Sequence, residues 1–204
     1  MTDEITHWDG PPLEAWQPWT PQEAAALLAG VGVPWYVVGG WAIDLYLGFE
    51  SREHEDLEIS ILREDFPVIR SRLADFRFHV AGDGEVRELG LDALPPPDKY
   101  QNWVLDVDAN KWRVDIMLSP GDRDTWICRR DASITVPRRE IIGSRDGIDY
   151  LKPEAVLMFK AKYKREKDMA DLQACLPRLA PSARRWLRQV LDRIHPGHEW
   201  LEIV

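Results

Sequence analysis

The stretch Val37–Ile61, VVGGWAIDLYLGFESREHEDLEISI, constrains this chain more than any other. Trp35-Tyr36-Val37-Val38 reads as a short buried strand that stops at Gly39-Gly40. A helix over about 41–47 follows, and Gly48 suits its left-handed stop. A second strand covers 55–61. Side chains alternate between the two faces of a strand, so 52–61 puts His54, Asp56, Glu58 and Ser60 on one side and Leu57, Ile59 and Ile61 on the other. The apolar side packs on a core. The other side holds two carboxylates with Cα atoms about 7 Å apart. Like charges at that spacing repel, and a hard divalent cation such as Mg²⁺ relieves them while keeping phosphate oxygens and waters as its other ligands. Glycines at a strand-to-helix turn let the backbone approach a phosphate, and the first N–H groups of the helix point at the anion. Each feature alone has a plainer alternative: a solvated acidic face for the carboxylates, a tight turn for the glycines.

The rest of the chain frames this segment. Thr20-Pro21-Gln22-Glu23 has the residues of a capping box and opens a helix to about Ala29. Apolar residues at three- and four-residue spacing make 63–76 a helix. Strands are expected at 78–80 and 86–89 around Gly82-Asp83-Gly84, then a hairpin of 103–108 and 112–118 around Ala109-Asn110, then short strands at 126–129 and 133–136. From Pro153 the pattern is helical, over about 153–166, 168–176 and 182–194. The fold class is therefore α/β (α+β), a mixed sheet flanked by helices. An irregular segment 1–20 comes first, a mixed-sheet domain spans 21–136, and a helical region spans 137–204.

A third acid lies on a separate strand. In Lys111–Leu118, Asp115 stands between Val114 and Ile116, and an acid in an apolar strand is costly unless paired or metal-bound. A salt bridge to Arg52 or Arg113 is the alternative, and Asp106 and Asp108 compete for the role. A bound triphosphate also needs cations. Lys160 and Lys164, four apart on the 153–166 helix, share a face, although surface lysines are commonly just solvated. Asp44 is expected to tie its helix to Arg52 or His54, and Asp168 and Asp171 to be structural.

Composition limits the function classes. The 204 residues carry a formal charge of −9, which argues against a general nucleic-acid binder; a local basic strip (Arg184, Arg185, Arg188, Arg193) leaves tRNA as the exception. No apolar run approaches the roughly 20 residues of a membrane span, and the acidic start MTDEITHWDGPP is unlike a secretory signal. Cys128 and Cys175 form neither a disulfide framework nor a zinc cluster, so a reduced cytoplasm is expected. Trp8, Trp16, Trp19, Trp35 and Trp41, five of ten tryptophans, cluster early and are expected to wedge a loop-rich N-terminus onto the core.

Gly39-Gly40, then Asp56-Leu57-Glu58 after a spacer helix, then Asp115 on a later strand, resembles the nucleotidyltransferase superfamily with the polymerase-beta-like fold. The strings GGWAIDLYLG…SREHEDLEI and YLKPEAVLMFKAKYKREKDMADLQA are similar to its aminoglycoside and lincosamide branch, over most of 35–200. The resemblance implies a nucleotidyltransferase fold, two Mg²⁺ ions and a nucleoside triphosphate donor, by default ATP. It implies transfer of a nucleoside monophosphate to a hydroxyl of a small molecule, an aminoglycoside- or lincosamide-like acceptor, with release of pyrophosphate. Asp56, Glu58 and Asp115 match the metal-binding acids, Asp115 also as general base, and Gly39 and Gly40 match the phosphate turn; His54, Lys160 and Lys164 are further candidates for the nucleotide. Many relatives have Gly-Ser where this chain has Gly39-Gly40, and Glu58 stands in place of an Asp. A toxin-like enzyme acting on tRNA or protein, and a non-catalytic nucleotide binder, are the alternatives.

Overall fold

The computed structural model describes residues 10–204; residues 1–9, Trp8 among them, lie outside the described residues. The chain runs α1 (Pro21–Leu27), β1 (Trp35–Val38), α2 (Gly39–Leu47), β2 (Glu58–Leu62), α3 (Phe66–Arg72), β3 (Arg77–Gly82), β4 (Glu85–Glu88), β5 (Gln101–Asp106) and β6 (Lys111–Ser119). It continues with β7 (Thr125–Ile127), β8 (Thr135–Pro137), α4 (Arg138–Ile141), β9 (Ile142–Arg145), β10 (Ile148–Leu151), α5 (Pro153–Lys160), α6 (Glu166–Cys175) and α7 (Pro181–Ile194). Eight strands form one sheet in the order β4-β3-β5-β6-β2-β1-β10-β9, and β7 pairs with β8 apart from it. β2 runs parallel to β6 and β1 parallel to β10, the other neighbours being antiparallel. This is the expected mixed sheet flanked by helices. No helix among the described residues is long and apolar enough to cross a membrane.

Local chemistry explains most boundaries. The Thr20 hydroxyl accepts from Glu23 N and the Glu23 carboxylate accepts from Thr20 N, so the capping box starts α1 with Pro21 in its first turn. Gly48 ends α2 at φ 85°, and its N–H returns to Asp44 O at 2.7 Å. β2 begins at Glu58, three residues later than expected. Val38 pairs with Glu58 and the chain then turns into α2, so residues before Glu58 have no strand beside them on that side. On the other side, residues 15–19 occupy the ladder of β6 ahead of β2. Trp112 N donates to Ala15 O, Gln17 N to Trp112 O and Trp19 N to Arg113 O. Trp16 packs edge-on against Trp103 at 5.2 Å, and Trp19 edge-on against Phe76 at 5.1 Å, which is the wedging expected of these tryptophans.

Other stretches depart further from the sequence reading, and the helix expected over 63–76 is confined to Phe66–Arg72. The hairpin β9–β10 falls inside 137–204, read as helical, and extends the sheet beyond β1. Its strands are four residues each, too short to show periodicity. Its turn carries Asp146-Gly147, both with positive φ (52° and 80°), which is a hairpin signature. α5 ends at Lys160 rather than near 166, because the Asp168 carboxylate accepts from Arg165 N and starts α6 afresh. Lys164 lies in the intervening turn at φ 50°, so it no longer shares a helix face with Lys160.

The helical layers stack on the sheet through α2, which touches β1 and β2 on one side and α5 and α6 on the other. Leu157 of α5 is fully buried in this core. Leu157→Ala is expected to lower unfolding free energy by about 2–5 kcal/mol in chemical denaturation. A loss under 1 kcal/mol would mean that α5 is not part of the core.

Candidate active site

The parallel pairing of β2 and β6 puts Glu58 directly beside Asp115, and the antiparallel pairing of β5 and β6 puts Trp103 on Asp115's other side. The three side chains therefore share one face in adjacent strands. Asp56, in the loop just ahead of β2, is exposed and close enough that its charge acts on both other acids. Asp115 is 3% exposed. Its Oδ2 accepts from Gln101 Nε2 at 2.7 Å; Oδ1 has no hydrogen bond of ordinary geometry, although the nearby Trp103 indole favours the ionised form. Among the described residues no cation pairs with Asp115 or Glu58. Arg52 is bound to Asp171 (3.0 Å) and Arg113 to Asp106 (2.9 Å), so neither makes the salt bridge considered for Asp115. Asp106 also accepts from Ala109 N and holds the hairpin turn, and Asp108 is exposed in it.

This arrangement raises both acids, the buried Asp115 and the half-buried Glu58. Burial, followed by the charges of Asp56 and Asp115, pushes Glu58 up to about 8. Burial first, with Asp56 adding to it against the Gln101 hydrogen bond, pushes Asp115 up to about 6. Adjacent carboxylates with no paired cation among the described residues, one buried oxygen lacking an ordinary donor, fit a divalent metal. No group of three or more His, Cys, Asp or Glu side chains among the described residues is arranged to hold an ion by itself.

Gly39 and Gly40 begin α2, and no side chain caps its first N–H groups. Gly39 has φ 66°, and a Cβ there would lie 1.8 Å from Glu58 Oε2. A Cβ on Gly40 would lie 2.5 Å from an Arg52 nitrogen and 2.6 Å from His54 Nδ1. The glycine pair thus lets the acids and the uncapped helix start share one small space. His54 is turned away from the acids. Its ring stacks on Trp41 at 4.3 Å, and its Nε2 lies 2.5 Å from Asp44 Oδ2, which also accepts from Ser51 at its other oxygen. Asp44 therefore ties α2 to the following loop.

A cleft of about 340 Å³, within the usual range for small-molecule sites, opens over this row. Gly39, Gly40, Asp56, Glu58 and Lys160 line it; His54 and Lys164 do not. Lys160 is bound to Asp171 at 2.8 Å and Asp168 at 3.4 Å. The wall also presents Arg52, Arg129, Arg130, Arg165 and Lys167, which the sequence reading did not assign to the nucleotide. The signal for two of them was the run Arg165-x-Lys167-Asp168-x-x-Asp171, which alternates cations with the acids that hold them. Gln101 lies ahead of the hairpin as read at 103–108, and a bulge between Val104 and Leu105 shifts the register that brings it near Asp115. Nothing local marks Arg129 or Arg130.

Two outcomes follow from this geometry. Gly39→Ala would drive a methyl into the Glu58 carboxylate from a left-handed backbone, and nucleotide turnover is expected to fall by at least about 100-fold; unaltered turnover would separate Gly39 from the site. In the ligand-free protein, Glu58 keeps its proton up to about 8, whereas the unfolded chain releases it near the ordinary 4.5. The native state then holds more protons across this range, so this group lowers stability as the pH rises from about 4.5 to 8. Glu58→Gln should raise the melting temperature of the metal-free protein at pH 8 and not at pH 4.5. Equal shifts at both pH values would contradict the assignment.

Residues 22–92 match the family model described as aminoglycoside-2''-adenylyltransferase. No curated protein sequence matches the chain. Among solved structures, the solution structure of the antibiotic-resistance factor ANT(2'')-Ia is similar over 84% of this chain and 89% of that one, with a TM-score of 0.58 and 14% identity. A crystal structure of ANT(2'')-Ia in complex with adenylyl-2''-tobramycin gives 84% and 95%, a TM-score of 0.57 and 14% identity. The lincomycin-bound lincosamide antibiotic adenylyltransferase LnuA gives 75% and 92%, a TM-score of 0.53 and 17% identity. At these identities the likeness to the solved structures is one of fold, and the matched segment contains Gly39, Gly40, Asp56 and Glu58. Residues 22–92 are thus similar to the aminoglycoside-2''-adenylyltransferase family, and the fold over most of the chain is similar to that of the aminoglycoside and lincosamide adenylyltransferase structures.

Proposed function

We propose that the chain transfers a nucleoside monophosphate, by default AMP from ATP, to a hydroxyl of a small molecule and releases pyrophosphate. The observation that carries this reading is the uncompensated pair Glu58 and Asp115 beside an uncapped, glycine-started helix. Asp56, Glu58 and Asp115 would hold Mg²⁺, which supplies charge neutralisation and orientation of the phosphates when bound. The N–H groups of Gly39 and Gly40 receive phosphate oxygens, and Arg52, Arg165 and Lys167 offset the remaining charge. Asp115 Oδ1 takes the proton of the attacking hydroxyl. The hydroxyl oxygen then forms its bond to the α-phosphorus as the bond to the pyrophosphate oxygen breaks.

The neighbours bind an adenylylated aminoglycoside and a lincosamide, which supports a small hydroxylated acceptor over a macromolecule. Of the four C-terminal arginines considered for tRNA, Arg188 donates to the carbonyls of Leu201 and Val204, and Arg193 pairs with Asp131 at 2.6 Å. Those two are committed within the chain.

Purified protein with Mg²⁺, labelled ATP and a panel of hydroxylated acceptors should release pyrophosphate in step with a nucleotidylated product. Asp56→Asn should reduce that rate by at least about 100-fold. Turnover that survives this substitution would remove the carboxylates from the chemistry.

A further inference from the structure

The cleft has two ends. From the row of Val38, Glu58 and Asp115, the next residues on the same face are Tyr36, Ser60 and Met117, about 7 Å along the strands and away from the glycine turn. There the wall carries a chain of hydroxyls. Tyr36 Oη lies 2.8 Å from Ser119 Oγ, which lies 2.6 Å from Ser60 Oγ. Tyr100, Gln101, Trp126, Arg129 and Arg130 line the cleft with them. The lining beyond the acid row is thus polar, partly aromatic and basic.

Its charge is lopsided. Among the described residues, the carboxylates that line the cleft are Asp56 and Glu58, with Asp115 beneath them, and the transfer reading uses all three. Four other cations that line the cleft already have acids of their own. Arg52 and Lys160 are held by Asp171, Arg165 by Asp168 and Lys167 by Glu55. Arg129 and Arg130 have no carboxylate partner among the described residues. Arg130 is fixed, donating to the carbonyls of Met158 (3.0 Å) and Phe159 (2.7 Å) and stacking over the Phe159 ring. Arg129 is exposed and lies over the Tyr100 ring at 5.2 Å. A guanidinium stays charged at any working pH. A ligand with several ammonium groups needs acids to replace the water it gives up, and here it would meet two arginines instead.

We propose that the acceptor is a hydroxyl compound carrying a carboxylate or phosphate, bound by Arg129 over Tyr100, and that polyammonium sugars such as aminoglycosides are excluded. This rests on the transfer reading above and names its substrate class. The hydroxyl chain of Tyr36, Ser60 and Ser119 receives the neutral part of the molecule, and the arginine takes the anion. Charge at the mouth of the cleft, set by two adjacent residues after β7, selects the acceptor in this reading.

The test is equilibrium binding to the full chain loaded with Mg²⁺ and a non-hydrolysable ATP analogue. Glucose, glucose 6-phosphate, gluconate and tobramycin serve as probes. Glucose 6-phosphate or gluconate should bind at least about tenfold more tightly than tobramycin, and the stronger of the two identifies the anionic group. Arg129→Glu should reverse that order, and Arg129→Gln, close in size, should bring the probes within about threefold. Tobramycin binding the wild type more tightly than both anions, the failure of both anions to bind, or an unchanged order in Arg129→Glu would overturn the proposal. Pyrophosphate release is followed in parallel. Its absence counts against the transfer reading, while the binding order decides the acceptor class independently.

Discussion

Two parallel strands hold Glu58 and Asp115 side by side at the floor of the cleft, and among the described residues no cation pairs with either. An unfolded chain would keep such acids hydrated and apart, so the rest of the sheet must hold this pair against its own repulsion. The apolar sides of the same strands do that. Leu57, Ile59, Ile61, Val114 and Ile116 are all buried at 1% or less, and their burial fixes the register that brings the acids together. Gly39 is a second condition, since a side chain there would occupy the space of the Glu58 carboxylate.

The cations nearby could have neutralised the pair by folding onto it. Their own partners prevent this. Asp168 and Asp171 on α6 are essentially buried, and between them they fix Lys160, Arg52 and Arg165 around the cleft rather than on the acids. The network joins the loop before β2 to α5 and α6, so the helical region sets where positive charge stands relative to the sheet. Held in this way, the positive charge stays available to a polyanion arriving from solvent.

The central segment was legible in the sequence because its signals are local. The glycine turn, the helix stop at Gly48 and the alternation after Asp56 follow from residue type and period alone, as does the isolation of Asp115 among apolar neighbours. What escaped depends on contacts distant in sequence. His54 has the right strand parity for the face of the acids, yet stacking on Trp41 and the Asp44 carboxylate draw it behind Gly40. Lys164 has the right helical spacing, yet the capping of α6 by Asp168 ends α5 before the spacing applies. Arg129 and Arg130 follow a three-residue strand outside the main sheet, where no periodicity marks them.

The segment at residues 15–19 fills the ladder position beside β6 that β2 leaves vacant, and Trp112 Nε1 closes it by donating to Pro12 O across a separation of a hundred residues. During synthesis this strap is made long before its partner strand exists. Its ladder bonds and the cover of Trp16 therefore wait until the β5–β6 hairpin has formed. Contacts of such long range are entropically late, so sealing the floor beside Asp115 belongs to the end of folding rather than its start.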